Sequence, residues 1–177
     1  RAKTMNPADR DIPVTRTARN GRVLLLRHMT AEDVAPTLAF VNGLSYADSY
    51  FRFGRGGFKL TESDMLRQCG ADPLVSRHYI VVARDNAGER VVANADSYRI
   101  GEREAYEFAV AVAEGWRGHG LARWLIARLA EDARDAGARY LVAEAMSSNA
   151  RMLGFARRMG FSLAKQADNP TLTKMTL

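Results

Sequence analysis

Between Tyr106 and Ala122 the chain places a carboxylate, Glu107, ahead of three closely spaced glycines, Gly115, Gly118 and Gly120, with Arg117 and His119 among them. After its acidic head the run to Ala113 is apolar and reads as a strand, and a long helical pattern opens at Gly120. Glycines this close together let a backbone approach a large ligand. A helix N-terminus directly behind them offers unpaired N–H groups and a positive dipole end. These residues describe an anion site suited to a pyrophosphate, following a strand that carries a carboxylate at its head.

The pyrophosphate is not that of a dinucleotide, because Arg123 stands where the fingerprint needs its third glycine. A Walker loop is excluded as well, since no Gly-Lys-Ser/Thr follows. What the residues spell is Arg-x-x-Gly-x-Ala, from Arg117 through Gly120 to Ala122. This resembles the acetyl-CoA loop of the GNAT N-acetyltransferase superfamily. Leu44-Ser45 with Ser49 and Arg52-Phe53, the run Glu107 to Val110, and Asn149 with Met152-Leu153 through Arg158 to Phe161 extend the resemblance. Together they resemble the bacterial protein-lysine acetyltransferase branch of that superfamily, over roughly residues 23–163. Nothing in this sequence reads as the acyl-CoA-synthetase-like or cyclic-nucleotide-binding domain often fused to that branch.

The resemblance implies a role for each residue. Acetyl-CoA is the implied co-substrate. Its pyrophosphate would lie on the backbone of Arg117, Gly118, His119, Gly120, Leu121 and Ala122, with Arg117 and Arg123 adding charge. The strand edge at Val110, Ala111 and Val112 would bond the pantetheine arm, and Asn149 would add one bond to it, although a plain helix cap explains Asn149 equally well. Arg157 and Arg158 are placed near the nucleotide or on a solvated helix face. Glu107 lies ten residues before Arg117, the spacing that the branch uses for its general base. The chemistry agrees, because an amine with a reference pKa of about 10.4 must lose a proton before it attacks a thioester. Flanking Tyr106 and Phe108 are expected to bury that carboxylate, the alternative being a carboxylate on the solvent side of the strand. Glu104, Glu114 and Glu144 are its rivals, without the spacing. One departure concerns the acid for the leaving thiolate: many relatives carry a tyrosine where this chain has Ala156. The acid stays unassigned, and His119 reads as a bystander to the chemistry.

The elements that position these residues follow from periodicity. Strands are expected at 23–29, 77–84, 90–98, 104–113, 140–146, 161–165 and 171–177. Helices are expected from Thr30 to Gly43, from Thr61 to about Cys69, over 120–136 and over 149–159, with a capping residue at Thr30 and Asp33 three positions on. This order is α/β (α+β): a mixed, mostly antiparallel sheet with helices on both faces. It resembles the GNAT fold, in which the parallel strands here at 106–113 and 140–146 splay apart.

Composition sets the outer bounds. The 177 residues are 47% hydrophobic, enough for one domain with a proper core, expected over 23–177. Residues 1–22 carry six basic groups against Asp9 and Asp11, so most of the net +6 sits on an expected flexible leader. Nucleic-acid binding by that leader is the weakest reading, since no aromatics interleave with its charges. No apolar run is long enough to span a membrane. A single Cys69 fits a reducing, cytoplasmic setting. His28, His78 and His119 are scattered, so no metal site is expected. The acceptor is a primary amine, a protein lysine being favoured over a small amine, and Tyr46, Tyr50, Phe51, Phe53 and Phe58 would suit a lysine stem. A non-catalytic acyl-CoA-binding module is the alternative, and the oligomeric state is left open.

Overall fold

A computed structural model describes residues 13–45, 47–48, 59–101 and 104–177. The aromatic residues proposed for a lysine stem, the glycine run 54–57 and residues 1–12 of the leader lie outside the described residues. Eight strands form one sheet in the order β1-β2-β3-β4-β5-β6-β8-β7. They are β1 (Val14–Thr17), β2 (Val23–His28), β3 (Ser76–Asp85), β4 (Gly88–Ile100), β5 (Ala105–Val112), β6 (Tyr140–Met146), β7 (Ser162–Lys165) and β8 (Leu172–Thr176). Every pairing is antiparallel except β5 with β6. The parallel pair has the crossover helix α3 (Leu121–Asp135) between its strands, as parallel strands require.

Alternation along β3 shows how the sheet is buried on both faces. Tyr79, Val81 and Ala83 join the cluster that packs Leu121, Leu125, Ile126 and Leu129 of α3 and Leu153 and Ala156 of α4 (Ala150–Met159). Ile80 and Val82 point the other way, into a smaller cluster with Val34 and Val41 of α1 (Val34–Asn42) and Met65 of α2 (Glu62–Cys69). Leu125 and Leu129 have no exposed surface, so truncating either to alanine is expected to cost ~2–5 kcal/mol.

Two reciprocal caps set the helix starts that the sequence foresees. The Asp33 carboxylate accepts from the Thr30 N–H at 2.8 Å, and Asp64 accepts from the Thr61 N–H at 3.0 Å. After Thr30 the first turn is a 3-10 turn, Ala31–Asp33, and α1 follows it. The expectation of a flexible leader up to residue 22 is corrected at its C-terminal end. Val14–Thr17 is an edge strand, with Val14 opposite Leu26 and Thr17 opposite Val23.

The splay is short and abrupt. β5 and β6 pair at three rungs, Ala105 with Tyr140, Tyr106 with Leu141 and Glu107 with Val142. Beyond them β5 stays with β4 as far as Val112 opposite Ala93, and β6 stays with β8 as far as Met146 opposite Leu172. Each strand follows its outer partner, and a wedge opens between them. The β6-facing edge of β5 from Phe108 onward is left without a strand, and such backbone groups need another partner.

Candidate active site

The wedge is a cleft of about 820 Å³. Residues 107–112 of β5 and residues 143–146 of β6 form its two sides, and the glycine loop with the start of α3 lies at one end. The loop turns through two left-handed glycines, Gly118 at φ 80° and Gly120 at φ 78°, a conformation that side chains other than glycine resist. Gly120 is the N-cap of α3 and has no side chain to cap it. The first N–H groups of that helix therefore face the cleft without an intrahelical acceptor, next to the loop's own N–H groups. Bare peptide donors, a helix dipole and a strand edge with unmet hydrogen bonds suit an anion on an amide-bearing arm.

Most of the residues singled out from sequence meet here. Glu107, Val110, Ala111, Val112, Arg117, Gly118, Gly120, Leu121, Ala122, Arg123 and Asn149 all line the cleft. His119 does not: its ring packs against Trp116 with centroids 5.6 Å apart, so its place in the cofactor site is confined to its backbone. Asn149 caps α4, its Oδ1 accepting from the Met152 N–H at 3.1 Å, while the residue also stands in the cleft wall. Arg158 lines the cleft and Arg157 does not. Ala156 is 1% exposed and offers no proton donor.

The expected burial of Glu107 is corrected. Its neighbours Tyr106 and Phe108 are buried, but the pleat turns them to the opposite face and leaves Glu107 exposed. The carboxylate stands at the last β5–β6 rung, where the cleft begins. Among its rivals, Glu104 and Glu114 lie away from the cleft. Glu144 lines it, on the far strand, and accepts from the Gln166 amide.

Several residues in or beside the cleft carry no signal in the sequence. Arg16 of β1 lies over the Trp124 ring at 5.5 Å, with its guanidinium beside Gly120. Arg22 and Arg90 lie over Trp116 at 5.6 and 6.0 Å. Part of the leader's positive charge is therefore folded against the glycine loop. Asp48 binds Arg117 at 2.7 Å and Arg151 at 3.3 Å, and accepts from the Ser45 hydroxyl at 2.8 Å. Burial pushes its carboxyl up, but the Ser45 bond and the arginines outweigh that and hold it below the usual carboxylate range. Local pattern could not reveal either residue, because both reach the site through tertiary pairing. Among the described residues no three His, Cys, Asp or Glu side chains gather as metal ligands, and no helix is long and apolar enough to cross a membrane.

The sequence pattern of the acetyltransferase (GNAT) family matches residues 45–161, and the chain belongs to that family. Members of the family are acetyltransferases with acetyl-CoA as co-substrate. The chain is 38% identical over 104 residues to an L-methionine sulfoximine/L-methionine sulfone acetyltransferase from Pseudomonas aeruginosa. That match covers 56% of this chain and spans 60% of the relative's length. Among solved structures, the GNAT domain of S. lividans PAT superposes with a TM-score of 0.82 at 21% identity, covering 98% of this chain and 99% of that one. The structure of yncA from Salmonella typhimurium with its cofactor acetyl-CoA gives a TM-score of 0.66 at 21% identity, covering 87% of this chain and 92% of that one. At those identities the two structures speak for the fold.

Proposed function

We propose that this chain is an acetyl-CoA-dependent N-acetyltransferase that acts on a primary amine with Glu107 as general base. The observation that carries the reading is the position of Glu107 at the point where the parallel strands part, in one cleft with the left-handed glycine loop. Bound acetyl-CoA supplies a thioester carbonyl that an unprotonated amine attacks, with the thiolate as leaving group. The N–H groups at 118–122 hold the pyrophosphate, and Arg16, Arg117 and Arg123 add positive field around it. The free edge of β5 at Val110–Val112 takes the amides of the pantetheine arm. Glu107 accepts the proton that the amine must lose, directly or through one water, and its exposure lets it pass that proton to solvent.

For the acceptor, the motifs shared with the protein-lysine branch favour a lysine side chain on a protein. A small amino-acid-like amine is the second reading, supported by the relative from Pseudomonas aeruginosa. The test is acetyl transfer from labelled acetyl-CoA to a panel of lysine peptides, whole proteins and small amines. Transfer to an amine with release of free thiol is expected. Tight binding of acetyl-CoA without transfer to any amine would leave the chain as a non-catalytic acyl-CoA-binding module.

A further inference from the structure

Tyr98 is an exposed aromatic where a sheet usually turns a polar side chain to water. Its exposure is 40%, and the β4–β5 register sets it directly opposite Glu107. It lines the main cleft on one side and, on the other, a second pocket of about 390 Å³ whose lining includes Asp64, Arg67, Gln68, Ala71, Ser76 and His78. Tyr98 is thus a wall between the place where the amine must meet Glu107 and a second, open pocket beside α2.

Two side chains hold the wall. The Gln68 side chain of α2 donates to the Tyr98 hydroxyl at 3.1 Å. The His78 ring meets the Tyr98 ring edge-on, with centroids 5.3 Å apart and planes at 70°. His78 is itself fixed, its Nδ1 2.9 Å from Asp96 and its Nε2 3.0 Å from the Ser76 hydroxyl. Ser76, His78 and Asp96 are each only 6% exposed. A buried polar chain costs stability unless each member is satisfied, and this chain spends its bonds holding one ring in place.

The register fixes a length. Ser76 pairs with Tyr98 and Tyr98 with Glu107, so the row crosses two strand spacings, about 10 Å. Resting on the acetyl-transfer reading above, we propose that Tyr98 determines acceptor specificity. The acceptor it selects is a primary amine on a long flexible stem, with its amine at Glu107 and the peptide groups at the far end of the stem lying across Tyr98 in the pocket beside α2. A lysine side chain with the peptide groups that follow it has this shape. A short amino-acid-like amine does not span the row.

The experiment compares kcat/KM for N-acetyl-lysine methylamide with that for n-pentylamine, which keeps the stem and lacks the peptide groups. Wild type is expected to favour the lysine compound about ten-fold or more. Ala71→Phe, which fills the second pocket from the turn that follows α2, should collapse that ratio towards one, as should Tyr98→Ala. Tyr98→Phe keeps the wall and should restore most of the ratio lost in Tyr98→Ala. The change should appear in the acceptor's KM rather than in the KM for acetyl-CoA. If wild type acetylates both compounds equally well, or if the ratio survives both Ala71→Phe and Tyr98→Ala, the inference is overturned while the acetyl-transfer reading stands. If wild type acetylates no amine at all, both fall together.

Discussion

Glu107 and Val142 form the last rung of the parallel β5–β6 ladder, and the cleft opens immediately beyond them. The same backbone step that ends the pairing delivers the carboxylate to the mouth of the wedge. A proton acceptor placed there stands where an amine entering from the α1–α2 side would reach a thioester lying between the strands. The pleat keeps Tyr106 and Phe108 in the opposite core, so the strand is anchored while its acid stays accessible.

Glu107→Gln keeps the shape of the side chain and removes the proton acceptor. Turnover should fall by roughly 10²–10⁴-fold, the usual size of a general-base contribution, with little change in acetyl-CoA affinity. Steady-state kinetics on Glu107→Gln beside Glu144→Gln, the rival that shares the cleft, decides the assignment. A collapse confined to Glu144→Gln would move the base to β6.

At Gly120 the expected effect is on binding. Its φ of 78° makes any side chain costly, by about 1–2 kcal/mol for an alanine, and a glutamate adds a negative charge at the anion site. Calorimetry should show Gly120→Ala weakened and Gly120→Glu without measurable acetyl-CoA binding. Wild-type affinity in Gly120→Glu would disprove the loop assignment.

Arg16 is expected to act through its field, because β1 packs it against Trp124 beside the loop. Arg16→Ala should raise the KM for acetyl-CoA by roughly 3- to 10-fold at low salt, and the difference should shrink as salt screens the charge. A salt-independent difference would point instead to lost packing on Trp124.

Asp33 links stability to pH. Burial pushes its carboxyl up, but the Arg27 guanidinium and the Thr30 groups prevail and hold it below the usual carboxylate value of 3.8. A depressed folded-state pKa contributes stability that is fully present above the unfolded value and is lost as pH falls through the folded value. Asp33→Asn should therefore cost about 1–3 kcal/mol near neutral pH, and the gap to wild type should close in acid. Urea midpoints from neutral pH down to strongly acidic pH measure both; a gap independent of pH would show that the carboxylate charge is not what stabilises the turn.

Much of this protein was legible along the chain because the signals were local. Alternation and helical spacing placed seven of the eight strands and the four described helices within a few residues, and Thr30–Asp33 announced its cap. The glycine spacing marked the left-handed turns at Gly118 and Gly120 ahead of α3, since left-handed backbone is a property of residue type. Tertiary structure decided the rest. Arg16 belongs to the site because β1 joins the sheet through β2, an edge pairing that four residues with little apolar periodicity did not advertise. Glu107 is exposed because pleat parity, and not the apolar character of its neighbours, determines which way a side chain points. Asp48 meets Arg117 and Arg151 only once distant segments come together, and the β4–β5 register decides that Tyr98 stands opposite Glu107. The parting of β5 from β6 has the same origin: each strand follows its outer neighbour, and no residue within either strand records where those neighbours lie.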